Sequence, residues 1–237
     1  MDAHPRLPAA IELAWGLRTP VRSGPKPKFT LPRIVAAAIT LVDRTGLETF
    51  SMNKLADELG TKTMSLYRYV ESKEDLLTLM LDLGYGPLPG DTPPASPPRA
   101  GLEFWARRMF ATYQAHPWML KVRIRSLPTT PNALAWVDYG LQCLAGTRLS
   151  DTDRLNGLLL LDGHVRNSSR LATDLGETGG SASQYSRIMG GLVRAEDYPA
   201  LARMIASGAV DSRDRDQADQ AGFEFGLTRV LDWLTSA

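Results

Sequence analysis

Residues 86 to 98, GPLPGDTPPASPP, hold six prolines and two glycines. Proline lacks an amide donor and clashes with the preceding helical turn, so no helix runs through this stretch. On either side of it the apolar residues recur at spacings of three and four, and no segment shows the alternation of a half-buried strand. The chain is therefore expected to be all-α and divided. A helix-turn-helix unit is expected over 31 to 85, a connection over 86 to 98 and a larger helical domain over 99 to 237, preceded by an N-terminal extension and basic arm over 1 to 30. Helices are expected near 9 to 17, 31 to 45, 51 to 59, 62 to 69, 73 to 84, 99 to 115, 117 to 125, 132 to 146, 151 to 175, 181 to 192, 197 to 207 and 213 to 235.

Composition excludes several classes. A 237-residue chain that is 43% hydrophobic can bury a core, so disorder throughout is excluded. Cys143 is the only cysteine, which rules out a disulfide-stapled secreted scaffold. No apolar run approaches the roughly 20 residues that span a bilayer. The start of the chain, with Asp2, His4 and Pro5, lacks the plan of a signal peptide, so a cytoplasmic protein without a membrane partner is expected. The net charge of +1 is uninformative, but its distribution is not: residues 18 to 73 carry ten bases against five acids. Four of those bases fall in 18 to 30, among Pro20, Pro25 and Pro27 and with no acid, as in a basic arm.

The segment 31 to 45 places Ile34, Ala37, Ala38, Leu41 and Val42 on one face, with Pro32 suited to its first turn and Gly46 to its stop. Ser51 then suits an N-cap, Leu55 and Leu59 are expected to be buried, and Gly60 permits a tight left-handed turn before another short helix. Two helices joined so closely form a helix-turn-helix, whose second helix enters the major groove by its N-terminal residues. Thr63, Met64 and Ser65 are short, polar or methyl-bearing and can meet base edges. Lys62, Tyr67, Tyr69 and Lys73 can reach phosphates, Ser51 is a further candidate for DNA contact, and Ser72 and Asp75 stand at capping-box spacing.

At these residues the chain resembles the TetR family of bacterial regulators. The family's recurring pattern Leu-Tyr-x-x-(Phe/Val)-x-x-Lys-x-x-Leu is matched by Leu66, Tyr67, Val70, Lys73 and Leu76, and Gly46, Leu55, Ala56 and Gly60 fall where the family expects them. The resemblance covers residues 31 to 83 and implies that Asn53, Thr63, Met64, Ser65, Tyr67 and Lys73 contact DNA. Thr61 and Lys62 stand where many members have Val-Ser, which removes the usual serine cap and adds a base. Farther on, LLLLDGHVRNSSRL at 158 to 171 and HPW at 116 to 118 are similar to a group of actinobacterial-looking members whose inducers are diverse, so they supply no ligand.

The same resemblance implies that the helices over 151 to 175 and 213 to 235 build a homodimer interface, for which Leu155, Leu158, Leu159, Asp162, Gly222, Phe225, Gly226 and Leu231 are the candidates. Trp105, Met109, Tyr113, Trp136, Tyr139, His164 and Asn167 are candidates for an apolar ligand pocket, although aromatic and methionine side chains at helical spacing are also ordinary core residues. His4, His116 and His164 are far apart in sequence and Cys143 has no neighbouring ligand, so neither a metal nor a cofactor is expected. The expected function is a ligand-responsive repressor that binds a palindromic double-stranded operator and is released by a small-molecule inducer. The alternatives are a DNA-binding dimer with an architectural or activating role, and a helical hydrolase using Asp162, His164 and Ser168. The second fails on geometry, because the later two lie about 200° and 240° round a helix from the first and the three cannot converge.

Overall fold

Hydroxyl side chains start three of the helices that carry the N-terminal unit. Thr30 accepts from the Arg33 amide, Ser51 from Lys54 and Ser72 from Asp75, each satisfying a donor left over in a first helical turn. Ser72 also donates to the Asp75 carboxylate at 2.8 Å, so the expected capping pair forms. The computed structural model describes residues 7–18, 29–124, 127–178, 182–208 and 215–236, the side chains of 175–178, 182–186 and 215–219 excepted. Of the expected basic arm, residues 19–28 lie outside the described residues.

The fold is all-helical. After α1 (Ala9–Ala14) come α2 (Leu31–Thr45), α3 (Met52–Glu58), α4 (Thr63–Leu66) and α5 (Lys73–Tyr85), which together form a head. The body consists of α6 (Pro98–Ala115), a 3-10 helix (Pro117–Lys121), α7 (Pro131–Leu144), α8 (Asp151–Thr178), α9 (Ala182–Leu192), α10 (Pro199–Ala206) and α11 (Arg215–Ser236). Two expected elements are shorter than their pattern suggested. The segment after Gly60 is helical only over Thr63–Leu66 before a turn to Tyr69, which the Tyr69 amide closes on the Leu66 carbonyl. The stretch expected as a helix over 117 to 125 is a 3-10 turn that gives way to extended backbone at Val122, with Trp118 and Met119 as its buried anchors.

Head and body share one apolar core. Ile34, Leu55, Leu66 and Leu76 meet Leu79 and Met80 of α5, and the same cluster continues through Leu102, Trp105 and Met109 of α6 to Leu161 and Val165 of α8 and Leu227 and Leu231 of α11. Polar ties cross the junction at four places. Asp43 of α2 accepts from the Trp118 indole at 2.8 Å and lies 2.9 Å from Nδ1 of His116. Glu48 pairs with Lys121 at 2.7 Å. Asp82 of α5 is buried, and its carboxylate accepts from the backbone amides of Asn132 and Ala133, so it caps α7 from another element. Tyr85 accepts from Arg166 of α8 at 3.1 Å.

The connection 86–97 is held along the body. The Trp136 indole donates to the Gly86 carbonyl and the Tyr139 hydroxyl to the Pro93 carbonyl, both at 3.0 Å. Beneath it, Cys143 is buried, with no room at Gly101 for a Cβ between the thiol and the Tyr139 hydroxyl.

Replacing Asp82 by alanine leaves two buried amides at the start of α7 without an acceptor. It is expected to cost about 1–3 kcal/mol for each unsatisfied donor, measured by urea denaturation, whereas Asp82→Asn, which keeps an acceptor oxygen, loses less.

Candidate DNA interface and ligand cleft

The turn between α3 and α4 is closed by backbone hydrogen bonds. The Gly60 amide donates to the Asp57 carbonyl and the Thr61 amide to Ala56, with Gly60 at φ 60°, a combination that closes α3 with a left-handed residue. Leu55 and Ala56 on one side of the turn, and Leu66 and Val70 on the other, are buried in the head and fix the crossing of α3 and α4. The two helices are also joined by the Thr63 hydroxyl, which donates to Asn53 Oδ1 at 2.8 Å.

Outward from this base, Met64 is 74% exposed and Tyr67 41% exposed. Asn53, Lys62 and Arg68 are exposed beside them, and Ser65 is half-buried. The arrangement is a short helix with its first turn presented to solvent and bases on both flanks. Three other residues expected here have duties inside the protein. Ser51 caps α3. The Tyr69 hydroxyl donates to the Phe29 carbonyl at 3.1 Å and so holds the entry to α2. Lys73 donates to the Phe50 carbonyl at 2.7 Å with its ammonium over the Phe50 ring, tying the α2–α3 turn to the start of α5. Sequence pattern placed these donors at the right positions but not on their acceptors, because both acceptors are backbone carbonyls far along the chain.

In the body, the aromatic residues expected to line a pocket are core members with their polar atoms satisfied. Trp105, Met109, Tyr113, Trp136 and Tyr139 are buried, the Trp105 indole donates to the Trp136 carbonyl, and burial pushes the Tyr139 hydroxyl well above its ordinary range. His164 stacks on Phe223 with its Nε2 2.9 Å from that residue's carbonyl, and Asn167 is exposed. An open cleft of about 470 Å³ lies instead where α6, α8 and α11 meet, lined by Arg107, Phe110, Gln114, Ala172, Gln220, Phe223 and Glu224. Its signal was present in the sequence as two short helical faces, Arg107, Phe110 and Gln114 on one and Gln220, Phe223 and Glu224 on the other. Phe110 stacks on Phe223 with ring centres 4.4 Å apart. Arg107 is bonded to Glu103 and Glu224 together, and these charge-assisted bonds, the one to Glu224 foremost, raise its already high pKa. The cleft thus combines an aromatic wall with a paired guanidinium held between two carboxylates.

The residues expected at a dimer interface divide between two places. Leu158 and Leu231 are buried within the protomer, and Asp162 faces Arg166 and Tyr113. Gly226 lies so close to His164 that a Cβ there would overlap the ring, so this glycine serves the packing of α8 against α11. Leu155 is half-buried. Leu159 and Phe225 stay exposed, joined by Leu160, Leu171 and Trp233, and nothing stands within 4 Å of a Cβ at Gly222. Leu160 and Leu171 are eleven residues apart and fall on one stripe of α8.

With this geometry in hand, comparison with known proteins is specific. Residues 34–80 match the family described as bacterial regulatory proteins, tetR family, and residues 93–236 match the tetracyclin repressor-like C-terminal domain. The chain is 37% identical over 235 residues to the HTH-type transcriptional repressor DrrR1 of Streptomyces coeruleorubidus, covering 94% of this chain and 84% of that one. It superposes on ActR of Streptomyces coelicolor in complex with actinorhodin with a TM-score of 0.74 and 26% identity, covering 88% of this chain and 97% of that one. BioQ with its double-stranded DNA operator shares the fold, at a TM-score of 0.55 and 17% identity over 89% of this chain and all of that one.

The Asp162–Arg166 pair, at 2.9 Å, is a half-buried ion pair whose carboxyl is held above the usual carboxylate range, because desolvation outweighs the guanidinium beside it. A raised pKa in the folded state means that this group favours folding below its ordinary value, and the contribution is lost as pH rises through the raised one. Asp162→Asn leaves Arg166 without its counter-charge and is expected to destabilise by about 1–2 kcal/mol near neutral pH. Because the unaltered protein gains stability from this group as pH falls and the Asn variant does not, the difference between them should widen on going from neutral pH into the ordinary carboxylate range, which urea melts at two pH values will show.

Proposed function

The chain belongs to the tetR family of bacterial regulatory proteins, and we propose that it is a repressor that binds a palindromic operator as a homodimer and leaves it when a small-molecule inducer occupies the body. The observation that carries the DNA half is the exposed first turn of α4, with Met64 and Tyr67 outward and Lys62 and Arg68 flanking them. In this reading Met64 and the Thr63 methyl touch thymine methyl groups, Ser65 and Asn53 offer polar contacts to base edges or phosphates, and Lys62 and Tyr67 fix register on the backbone. Tyr69 and Lys73 act indirectly, by holding the unit that carries α4.

The dimer reading is supported by the apolar residues left exposed on α8 and α11. Leu159, Leu160, Phe225 and Trp233 are exposed together with the open surface at Gly222, and a second copy of the chain supplies a self-complementary cover. Two heads so joined can meet successive major grooves about 34 to 36 Å apart. The inducer reading rests on the cleft between α6, α8 and α11 and on the actinorhodin complex of ActR. An inducer acts only by binding better to the state whose heads do not fit the operator. Repression is the reading that DrrR1 supports, and the site of action is the cytoplasm.

Footprinting across the chromosome is expected to return discrete palindromic sites; uniform coating would favour an architectural role instead. On such a site Lys62→Ala should lower affinity and reduce the slope of log affinity against log salt by about one, while Tyr67→Phe lowers affinity with the slope unchanged. Phe225→Glu is expected to turn a dimer into a monomer in sedimentation velocity with its helical circular dichroism retained.

A further inference from the structure

Residues 7–18 lie outside both spans matched by family models, yet they touch head and body together. Helix α1 packs against α5, with Ala10 buried and Leu13 and Ala14 against the core. It ends in a backbone turn in which the Gly16 amide donates to Leu13 at 3.1 Å and the Leu17 amide to Glu12 at 2.9 Å. This turn sends the chain in two directions. Before it, the Trp15 indole donates to the Thr129 carbonyl at 2.9 Å, a contact across 114 residues of sequence. Beyond it, the Arg18 guanidinium pairs with Glu71 at 2.7 Å and stands 3.9 Å from Glu12.

Both ends of this path land on residues that matter to the heads. Thr129 belongs to the loop that leads into α7, and Asp82 of α5 grips the same loop's exit through Asn132 and Ala133. Glu71 lies in the turn between the reading helix α4 and α5. Four residues, from Trp15 to Arg18, therefore link the body to the far end of the reading unit without passing along α5. Trp15 is 48% exposed, so its bond to Thr129 is not a by-product of burying the ring.

We propose that Trp15 and Arg18 are positioning residues that brace the reading head against the body and hold the two α4 helices of a dimer at the spacing of the operator. The brace rests on the operator-binding reading given above. Each contact is modest by itself, an exposed hydrogen bond and an exposed ion pair. Their effect is geometric: a head that can pivot still fits one half-site but no longer meets two at once.

The test begins with an operator duplex selected from a random pool by the unaltered full chain. Affinity for that duplex, and for one holding a single half-site, is then compared among the unaltered chain, Trp15→Phe, Arg18→Gln and the double variant. Phenylalanine keeps an aromatic ring and removes the indole donor. Each single change is expected to weaken full-site binding about three- to ten-fold while half-site binding moves less than about two-fold, and the double variant should be no weaker than the worse single one, because both contacts lie on one path. An unchanged ratio of full-site to half-site affinity overturns the brace. So does an equal loss on both duplexes, which marks a direct DNA contact by Arg18, and so do additive losses.

A second measurement needs no DNA. In hydrogen exchange of the free protein, Trp15→Phe should speed the amides of residues 71–75 as well as those of 127–133. Acceleration confined to 9–18 and 127–133 overturns the proposal. If selection enriches no duplex, the operator-binding reading fails, and the exchange result still decides for or against the brace.

Discussion

The joint between head and body depends on one buried carboxylate. Asp82 sits on α5, the last helix of the head, and its oxygens take the place of the missing first turn of α7 by accepting from Asn132 and Ala133. A buried acceptor so used can neither be withdrawn nor be turned without exposing two amides to an apolar surrounding. The position of α5 against the body is therefore set by hydrogen-bond geometry, and the shared apolar core around Leu79, Met80 and Met109 fills in behind it. The contacts of Asp43 with His116 and Trp118 secure the opposite side. The head is thereby tied to the body on both sides of their junction.

Much of this architecture was legible in sequence because its causes are local. Ser51 and Ser72 cap the helices they precede, Gly60 takes the left-handed turn, and the proline-rich stretch after Tyr85 carries no helix, each through chemistry confined to a few neighbouring residues. The exposed turn at Met64 was legible in the same way, because its neighbours are polar where a packing helix would be apolar. The family pattern agreed with those local causes.

What sequence could not supply were partners chosen across long separations. Tyr69 and Lys73 look like phosphate contacts until their donors are found on the carbonyls of Phe29 and Phe50. Trp105, Trp136 and Tyr139 have the composition of a pocket wall, but each finds an acceptor on backbone far along the chain and seals the core. Asp162 and Gly226 have interface spacing, but one is taken by Arg166 and the other by the His164 ring. Periodicity assigns a residue to a face; it does not say which neighbour that face meets.

The lone thiol has a practical consequence. Cys143 is sealed under the connection that Tyr139 holds at Pro93, and burial pushes its pKa up, so the reactive thiolate is scarce and shielded while α6 and α7 stay together. The protein therefore carries its own unlabelled probe. The rate at which an alkylating reagent modifies the chain is a clock for the parting of those two helices, and a compound that tightens the body will slow that clock without any residue having been engineered.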